Sequence, residues 1–187
     1  AREWEEKAMW AGGAKAALHL AFANGRKDGV AHKPDRMLYF LKKAAENDNN
    51  TAQVILGKYY AGEEFKDDPI PLDPEQSRYW LEKAFQNGAG GGADQLGKLY
   101  YYGKGGYPRD LVKAKYWLEL ANGPKFSRKV EYLLATLYWS GTQDMLPDKD
   151  KAVALFRKSA EQGDAYAQFA MGQLYRGGLI GDKPDMA

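Results

Sequence analysis

Histidine and cysteine, two of the residue types that most often perform catalysis or bind metals, are scarce or absent in this sequence of 187 residues. It contains no cysteine, which excludes disulfides, thiolate catalysis and cysteine-ligated zinc. Neither histidine, His19 or His32, has a serine or carboxylate at a spacing typical of a triad or a metal site. We expect His19 to be a packing residue on a helix and His32 to lie in a loop. The sequence therefore predicts no catalytic residue, no metal site and no cofactor.

Adjacent carboxylates occur at Glu5-Glu6, Glu63-Glu64 and Asp67-Asp68. We interpret them as solvated surface charges rather than as general acid–base partners, which require tuned pKa values. A calcium site at Asp67-Asp68 or within 144–150 is an alternative, but both stretches lack the loop glycine and the ligand spacing of an EF-hand.

Charge and hydropathy exclude two further classes of protein. The 27 basic and 25 acidic residues give a net charge of +2 and are mixed along the chain without a basic block. This pattern argues against binding to nucleic acid. No apolar run approaches the roughly 18–20 residues that a membrane-spanning helix needs. The chain begins at Ala1 without an initiator methionine, which slightly favours an exported or periplasmic location over a cytoplasmic one.

A short motif recurs along the chain and combines a leucine, a small residue, an aromatic residue and a following glycine. Its aromatic residues recur at steps of 37–40 residues, at Phe22, Tyr60, Tyr100, Tyr138 and Tyr175. A second motif lies between the copies, as in Tyr79-Trp80-Leu81 and Tyr116-Trp117-Leu118. Because the apolar residues of both motifs have helical spacing, each repeat is predicted to be a pair of helices.

The fold class predicted from this pattern is all-α, a right-handed α-solenoid of helix-turn-helix repeats that forms an α/α superhelix of about nine helices. Asp110 and Asp148 are predicted N-caps. We expect Gly57, Gly97 and Gly172 to let the second helix of the repeat approach closely rather than to bind phosphate, since none follows a strand. The predicted helices are 5–24, 35–47, 49–61, 74–87, 91–102, 109–122, 127–140, 149–162 and 164–177.

The stretch Leu96-Gly97-Lys98-Leu99-Tyr100 with Gly103, followed by Asp110 and Lys113-Ala114, resembles the Sel1-like repeat, a relative of the tetratricopeptide repeats. The resemblance covers essentially the whole chain. It implies a single repeat array over 1–187, with repeats at about 5–48, 49–88, 89–123, 124–163 and 164–187. The last repeat stops where its second helix would begin, so we expect either a longer native chain or an end covered by a partner.

The resemblance implies a non-catalytic scaffold or adaptor that binds another protein. Many relatives are bacterial and exported, and the expected partner is a secreted effector or a component of the envelope or of a secretion system. An alternative is an immunity-type inhibitor that neutralises one secreted toxin or effector enzyme. A glycan-binding module is a further alternative, because aromatic rings also stack on sugars. Exposed solenoid ends make a homodimer a further expectation.

In the related repeats, the first helix of each pair lines the concave surface. Carried over to this sequence, the positions i, i+3, i+7 and i+10 of these helices become rich in aromatic residues towards the C-terminal half, a composition typical of interface hot spots. They predict a groove for an acidic and aromatic protein segment, although each single aromatic also fits a helix core. The predicted partner-binding residues are Lys98, Tyr101, Lys129, Tyr132, Trp139, Tyr166, Phe169, Gln173 and Arg176.

The loop at 63–73 is a second candidate for binding, since insertions in solenoids map to one face and loops often carry function. The alternative is a solvated loop without a function.

Overall fold

The computed structural model describes residues 2–25, 34–64, 72–121 and 128–181. These residues form nine α-helices and no β-strand beyond an isolated bridge between Thr142 and Met145. Every predicted helix is present, with ends that differ from the prediction by at most three residues, but the first one is not continuous because it is kinked at Gly13, which has a non-helical backbone (φ 59°, ψ -149°). The helices are α1 (Arg2–Gly25), α2 (Pro34–Glu46), α3 (Asn50–Tyr60), α4 (Pro74–Gln86), α5 (Gly90–Tyr102), α6 (Leu111–Ala121), α7 (Arg128–Ser140), α8 (Lys149–Glu161) and α9 (Ala165–Arg176).

The helices divide into two compact units. The first unit, residues 1–109, contains α1 to α5, and the second unit, residues 110–187, contains α6 to α9. Within each unit every helix packs against the next one along the chain, and α3 also contacts α5. We call the first helix of each repeat (α1, α3, α5, α7, α9) helix A and the second (α2, α4, α6, α8) helix B.

One expectation about α1 is wrong. His19 lies on this helix, but its side chain is exposed, so it is not a packing residue. The buried side of the same helix is formed instead by Ala17 and Ala21, which belong to the apolar core of the first unit. His32 lies outside the described residues.

Aspartate side chains cap the N-termini of three B helices, α4, α6 and α8. Asp110 accepts a hydrogen bond from the backbone N–H of Lys113 at 2.9 Å, and Asp148 accepts one from that of Lys151 at 3.0 Å, as predicted. Asp73 caps α4 in the same way. Each cap satisfies one of the N–H groups that a helix end leaves without an intrahelical partner.

A glutamine joins helix A to the end of the preceding helix B in two repeats. The side-chain amide of Gln53 donates to the carbonyl oxygen of Ala45 at 3.0 Å, and Gln168 donates to that of Ala160 at 3.2 Å. These carbonyls lie in the last turn of their helices and also accept the backbone N–H of Asp48 at 3.2 Å and of Gly163 at 2.9 Å, respectively. The repeated bond therefore stabilises the tight turn between one repeat and the next.

Glycines set the distance between α4 and its two neighbours. A Cβ on Gly57 of α3 would lie 2.5 Å from Cγ of Leu81, and a Cβ on Gly92 of α5 would lie 2.2 Å from the carbonyl oxygen of Leu81. The packing role predicted for Gly57 is thus confirmed. The same role for Gly172 stays a prediction, because the described residues include no second helix in its repeat and no heavy atom lies within 4 Å of the Cβ position there.

These surroundings give opposite expectations for the same substitution at equivalent positions of two repeats. We expect Gly57→Ala to lower the free energy of unfolding by about 1–3 kcal/mol, because the close approach of Leu81 outweighs the gain in helix propensity. Gly172→Ala should instead leave stability unchanged or raise it by up to ~1 kcal/mol. Chemical denaturation followed by circular dichroism measures both values. Equal effects of the two substitutions would contradict the packing argument.

Candidate protein-binding surface

The nine predicted binding residues divide between the two units. Lys98 and Tyr101 lie on α5 of the first unit, and the other seven lie on α7 and α9 of the second. Each group is therefore described by itself.

On α7 and α9, the structure brings an aromatic cluster together. The rings of Tyr132 and Tyr166 lie 5.7 Å apart with an interplanar angle of 35°, and Tyr132 also contacts the buried ring of Phe156 on α8 at 6.0 Å. Tyr132 is half-buried, whereas Tyr166 is 66% exposed and Phe169, one turn further along α9, is 65% exposed. We call Tyr132, Tyr166 and Phe169 the aromatic surface.

Tyr132 and Tyr166 lie on successive A helices of the second unit. The equivalent positions of successive A helices in the first unit are also close to each other. In the first unit, a Cβ on Gly91 of α5 would lie 3.8 Å from Cγ2 of Val54 on α3, at the equivalent positions of the repeat. Phe169 holds the position of Val54 and Tyr132 on α9. In the first unit, Gly91 on the next helix A lies over Val54. No residue among 128–181 lies over Phe169 in this way, so a segment that packs against α9 in the position of a further helix A could contact the Phe169 ring.

The remaining predicted residues of the second unit differ in their accessibility. Lys129, Gln173 and Arg176 are exposed. Trp139 is half-buried, and the ammonium group of Lys149 lies 3.8 Å from its ring centroid while donating to its backbone carbonyl. Because a cation covers one face of this ring, Trp139 presents less aromatic surface than the sequence pattern predicts.

In the first unit, the predicted cation Lys98 is already paired. Its Nζ lies 2.7 Å from Oδ2 of Asp94 one turn earlier on α5, and Oδ1 of Asp94 is buried without a hydrogen-bond partner. Tyr101 is half-buried, packs edge-to-face on Tyr102, and its carbonyl accepts from Arg109 at 3.3 Å. These two residues are therefore held by neighbours within the unit.

A cavity of about 650 Å³ lies beside α3 and α5 and was not predicted from the sequence. It includes the beginning of the loop that the sequence analysis singled out, whose residues 65–71 lie outside the described structure. Lys58 forms an ion pair with Glu64, and Gln95 donates to Glu63 at 3.0 Å. The sequence feature that could have indicated this cavity is the acidic pair Glu63-Glu64, which follows α3. The lining residues are Lys58, Ala61, Gly62, Glu63, Leu72, Gln95, Lys104 and Gly105.

Exposed tyrosines on the B helices were also missed. Tyr39, Tyr79 and Tyr116 occupy equivalent positions of α2, α4 and α6 and are 43%, 54% and 57% exposed. Each packs edge-to-face against the aromatic residue that follows it in the chain. These exposed tyrosines could have been predicted from the second sequence motif, in which a tyrosine directly precedes the ring that becomes buried or half-buried.

A cluster of polar side chains joins three helices of the second unit. The hydroxyl of Tyr138 on α7 donates to Oε1 of Glu119 on α6, and Nζ of Lys115 lies 3.1 Å from the other oxygen of that carboxylate. Lys151 of α8 donates to the Tyr138 hydroxyl at 2.5 Å. This arrangement ties helix B of one repeat to both helices of the next.

The cluster shifts the ionisation of two of its members. Burial alone would raise the pKa of Glu119, but the hydrogen bonds from Tyr138 and Lys115 and the charges of Lys115 and Lys151 outweigh it, so this pKa is lowered. Burial and the hydrogen bond to Glu119 raise the pKa of Tyr138 to about 12. The folded state therefore favours the protonated phenol, a contribution that is complete below pH ~10 and is lost as pH rises through about 12.

We expect the parent protein to lose roughly 1 kcal/mol more unfolding free energy than Tyr138→Phe between pH 9 and 12, because only the parent ionises this phenol and solvent screening reduces the effect of the pKa shift. Urea denaturation of both proteins across this range provides the measurement. Tyr107, whose pKa burial also raises to about 12 despite its hydrogen bond with Ser77, is retained in both proteins and cancels in the difference. Parallel pH curves would contradict the role assigned to Tyr138.

No helix within the described ranges is long and apolar enough to cross a membrane. Nor does the described part of the chain contain a group of three or more histidine, aspartate or glutamate side chains that could hold a metal ion.

Paired helices at a regular period, glycines at the helix contacts and exposed residues on the A helices define a helical-repeat protein. The Sel1 repeat matches residues 14–49, 51–88, 92–122, 129–164 and 165–187, and the chain belongs to this family. Members of the family generally act as protein-interaction scaffolds and are typically non-catalytic.

Two solved structures confirm the all-α solenoid fold. A Sel1 repeat protein from Oxalobacter formigenes is 24% identical with a TM-score of 0.77, over 98% of this chain and 72% of that one. A protective antigen of uropathogenic Escherichia coli with an SLR fold is 24% identical with a TM-score of 0.55, over 98% of this chain and 45% of that one.

Among curated proteins, chitin synthase regulatory factor 3 of Schizosaccharomyces pombe is 33% identical over 94 residues. The match covers 49% of this chain but only 10% of the yeast protein, so the shared part is a small fraction of that relative. Similarity to a fungal protein also shows that relatives of this chain are not confined to bacteria.

Proposed function

We propose that this chain is a non-catalytic scaffold that binds another protein through the A helices of its second unit. The observation that carries the proposal is the aromatic surface, in which two rings about two-thirds exposed extend from a third that is fixed by packing. Large exposed apolar side chains grouped in this way are typical of interaction sites, whereas single ones are common on any surface.

The binding free energy gained at this surface depends on the area of the exposed rings that a partner would cover. Aromatic side chains bury about 150–250 Å² each, so covering the exposed parts of Tyr166 and Phe169 would contribute roughly 5 kcal/mol before the costs of association. Because Tyr132 lies between Phe156 and Tyr166, little side-chain entropy remains to be lost there on binding. This combination is characteristic of an interface hot spot.

Charge suggests the chemistry of the bound segment. The exposed Gln173 and Arg176 continue the line of Tyr166 and Phe169 along α9, and Lys129 is exposed on α7. Arginine and lysine beside aromatic rings favour a segment that carries carboxylates as well as apolar side chains. The matched yeast protein is a regulatory factor, which accords with a role exerted on another protein.

Photo-crosslinking tests the surface directly. We expect p-benzoylphenylalanine at position 166 to crosslink to a partner protein in cells of the source organism, and the Tyr166→Ala/Phe169→Ala double variant to bind that partner at least about tenfold more weakly. The control is position 116 on α6, where Tyr116 is 57% exposed on a B helix of the same unit. Equal crosslinking at 166 and 116, or unchanged affinity of the double variant, would refute the proposal.

The identity of the crosslinked product separates the finer alternatives. Several envelope or secretion proteins would support a general scaffold, whereas a single secreted enzyme that loses activity on binding would support an immunity-type inhibitor. A product with twice the mass of the chain would indicate a homodimer. Binding to a glycan array that is lost in the double variant would favour the sugar-binding alternative instead.

A further inference from the structure

The connection between α3 and α4 is longer than its counterparts but is anchored in the same way. Residues 61–73 form this connection, whereas 103–110 and 141–148 join α5 to α6 and α7 to α8, so it contains five additional residues. The N–H of Asp73 donates to the carbonyl of Tyr60 at 3.0 Å, and that of Asp148 donates to the equivalent carbonyl of Tyr138 at 2.8 Å. The longer connection therefore keeps the same anchoring of the helix pair.

The beginning of this connection lies against the A helices of the first unit. Glu64 pairs with Lys58 of α3, and Glu63 accepts a hydrogen bond from Gln95 of α5 at 3.0 Å. Both interactions are accessible to water, since the side chains of Lys58 and Glu64 are 27% and 31% exposed. Partly exposed ion pairs are weak, so a competing carboxylate could replace Glu64 on Lys58 and could accept the hydrogen bond from Gln95 in place of Glu63.

A second loop completes the cavity around these residues. Gly105 has a φ of 63° and approaches the end of α3 so closely that a Cβ would lie 2.8 Å from the carbonyl oxygen of Ala61. This contact places Lys104 on the cavity wall, and Leu72 contributes an apolar patch to the lining. The cavity is therefore formed by two helices and two loops of one unit.

The chemistry of the lining identifies a ligand class. Apart from Glu63, the polar side chains that line the cavity are Lys58, Gln95 and Lys104, all of which donate hydrogen bonds. We propose that this cavity binds an acidic segment of a partner protein, and that Glu63 and Glu64 occupy the site of its carboxylates in the free chain. The acidic pair thus acts as an internal competitor that lowers the affinity for such a segment.

This inference goes beyond the proposed function, because it concerns α3 and α5 rather than the aromatic surface on α7 and α9. The two therefore fail independently. Loss of the acidic site would leave crosslinking at position 166 unchanged, and the absence of a partner at position 166 would not affect the binding of an acidic peptide to the first unit.

The test uses the full chain and a short glutamate-rich peptide labelled with fluorescein, followed by fluorescence anisotropy. We expect the Glu63→Gln/Glu64→Gln variant to bind this peptide about tenfold more tightly than the parent, because the internal competitor is removed. Adding Lys58→Met to that variant should abolish the gain. A matched serine-rich peptide should bind none of the proteins, which shows that carboxylates are recognised.

The charge-matched control is Glu75→Gln/Glu82→Gln, which removes two carboxylates from α4 of the same unit. It should bind the acidic peptide as the parent does. The proposal is overturned if this control gains as much affinity as Glu63→Gln/Glu64→Gln, because net charge alone would then explain the effect. It is also overturned if the latter variant binds no better than the parent, if no variant binds the peptide, or if Lys58→Met has no effect. Thermal unfolding curves establish that each variant is folded.

Discussion

The close approach of helices around Leu81 is the contact on which the repeat geometry of the first unit depends. Its side chain fills the space that Gly57 leaves on α3, and its backbone carbonyl lies against Gly92 of α5. Helix B is thereby held between two A helices at a distance that any side chain at these glycines would increase. A glycine within a helix costs about 1 kcal/mol relative to alanine, so the packing it allows must contribute at least as much for the helix to persist. The same two A helices, α3 and α5, also contact each other directly and line the cavity beside them.

The ends of the helices are anchored by the same type of interaction in three repeats, whereas the loops that connect them differ in length. Each described connection from helix A to helix B ends at an aspartate cap, at Asp73, Asp110 or Asp148. Two of these aspartates also donate their N–H to the equivalent carbonyl near the end of the preceding helix A. With both ends fixed, added residues lengthen the path without disturbing the core. An insertion at this point reaches the face of α3 and α5, so variation in loop length changes a surface and not the fold.

The helices could be predicted from the sequence because helical spacing, caps and glycines are local signals repeated five times in register. The same signals placed Tyr132 and Tyr166 on A helices but did not show that their rings are in contact, which depends on the distance between the helices. Ion pairs and cation–π contacts of individual side chains could be predicted from the sequence even less well. Lys98 was predicted to face a partner, yet it pairs with Asp94 on its own helix, and Trp139 is covered by a lysine ten residues later. Gly172 repeats the identity of Gly57, but the described residues contain no second helix in its repeat that could pack against it.

The positions that face other helices are similar in every repeat, whereas the stripe between them differs in chemistry. The position of Val54 is Asp94 on α5, Tyr132 on α7 and Phe169 on α9. That of Lys58 is Lys98, Thr136 and Gln173. Substitutions at positions outside the core cost little stability. These positions of a repeat protein can therefore vary to bind different partners. In the first unit this stripe includes Val54 and the ion-paired Asp94 and Lys98. In the second unit it carries Tyr132 and the exposed Phe169, so under the function proposed here the two units would suit chemically different segments of a protein.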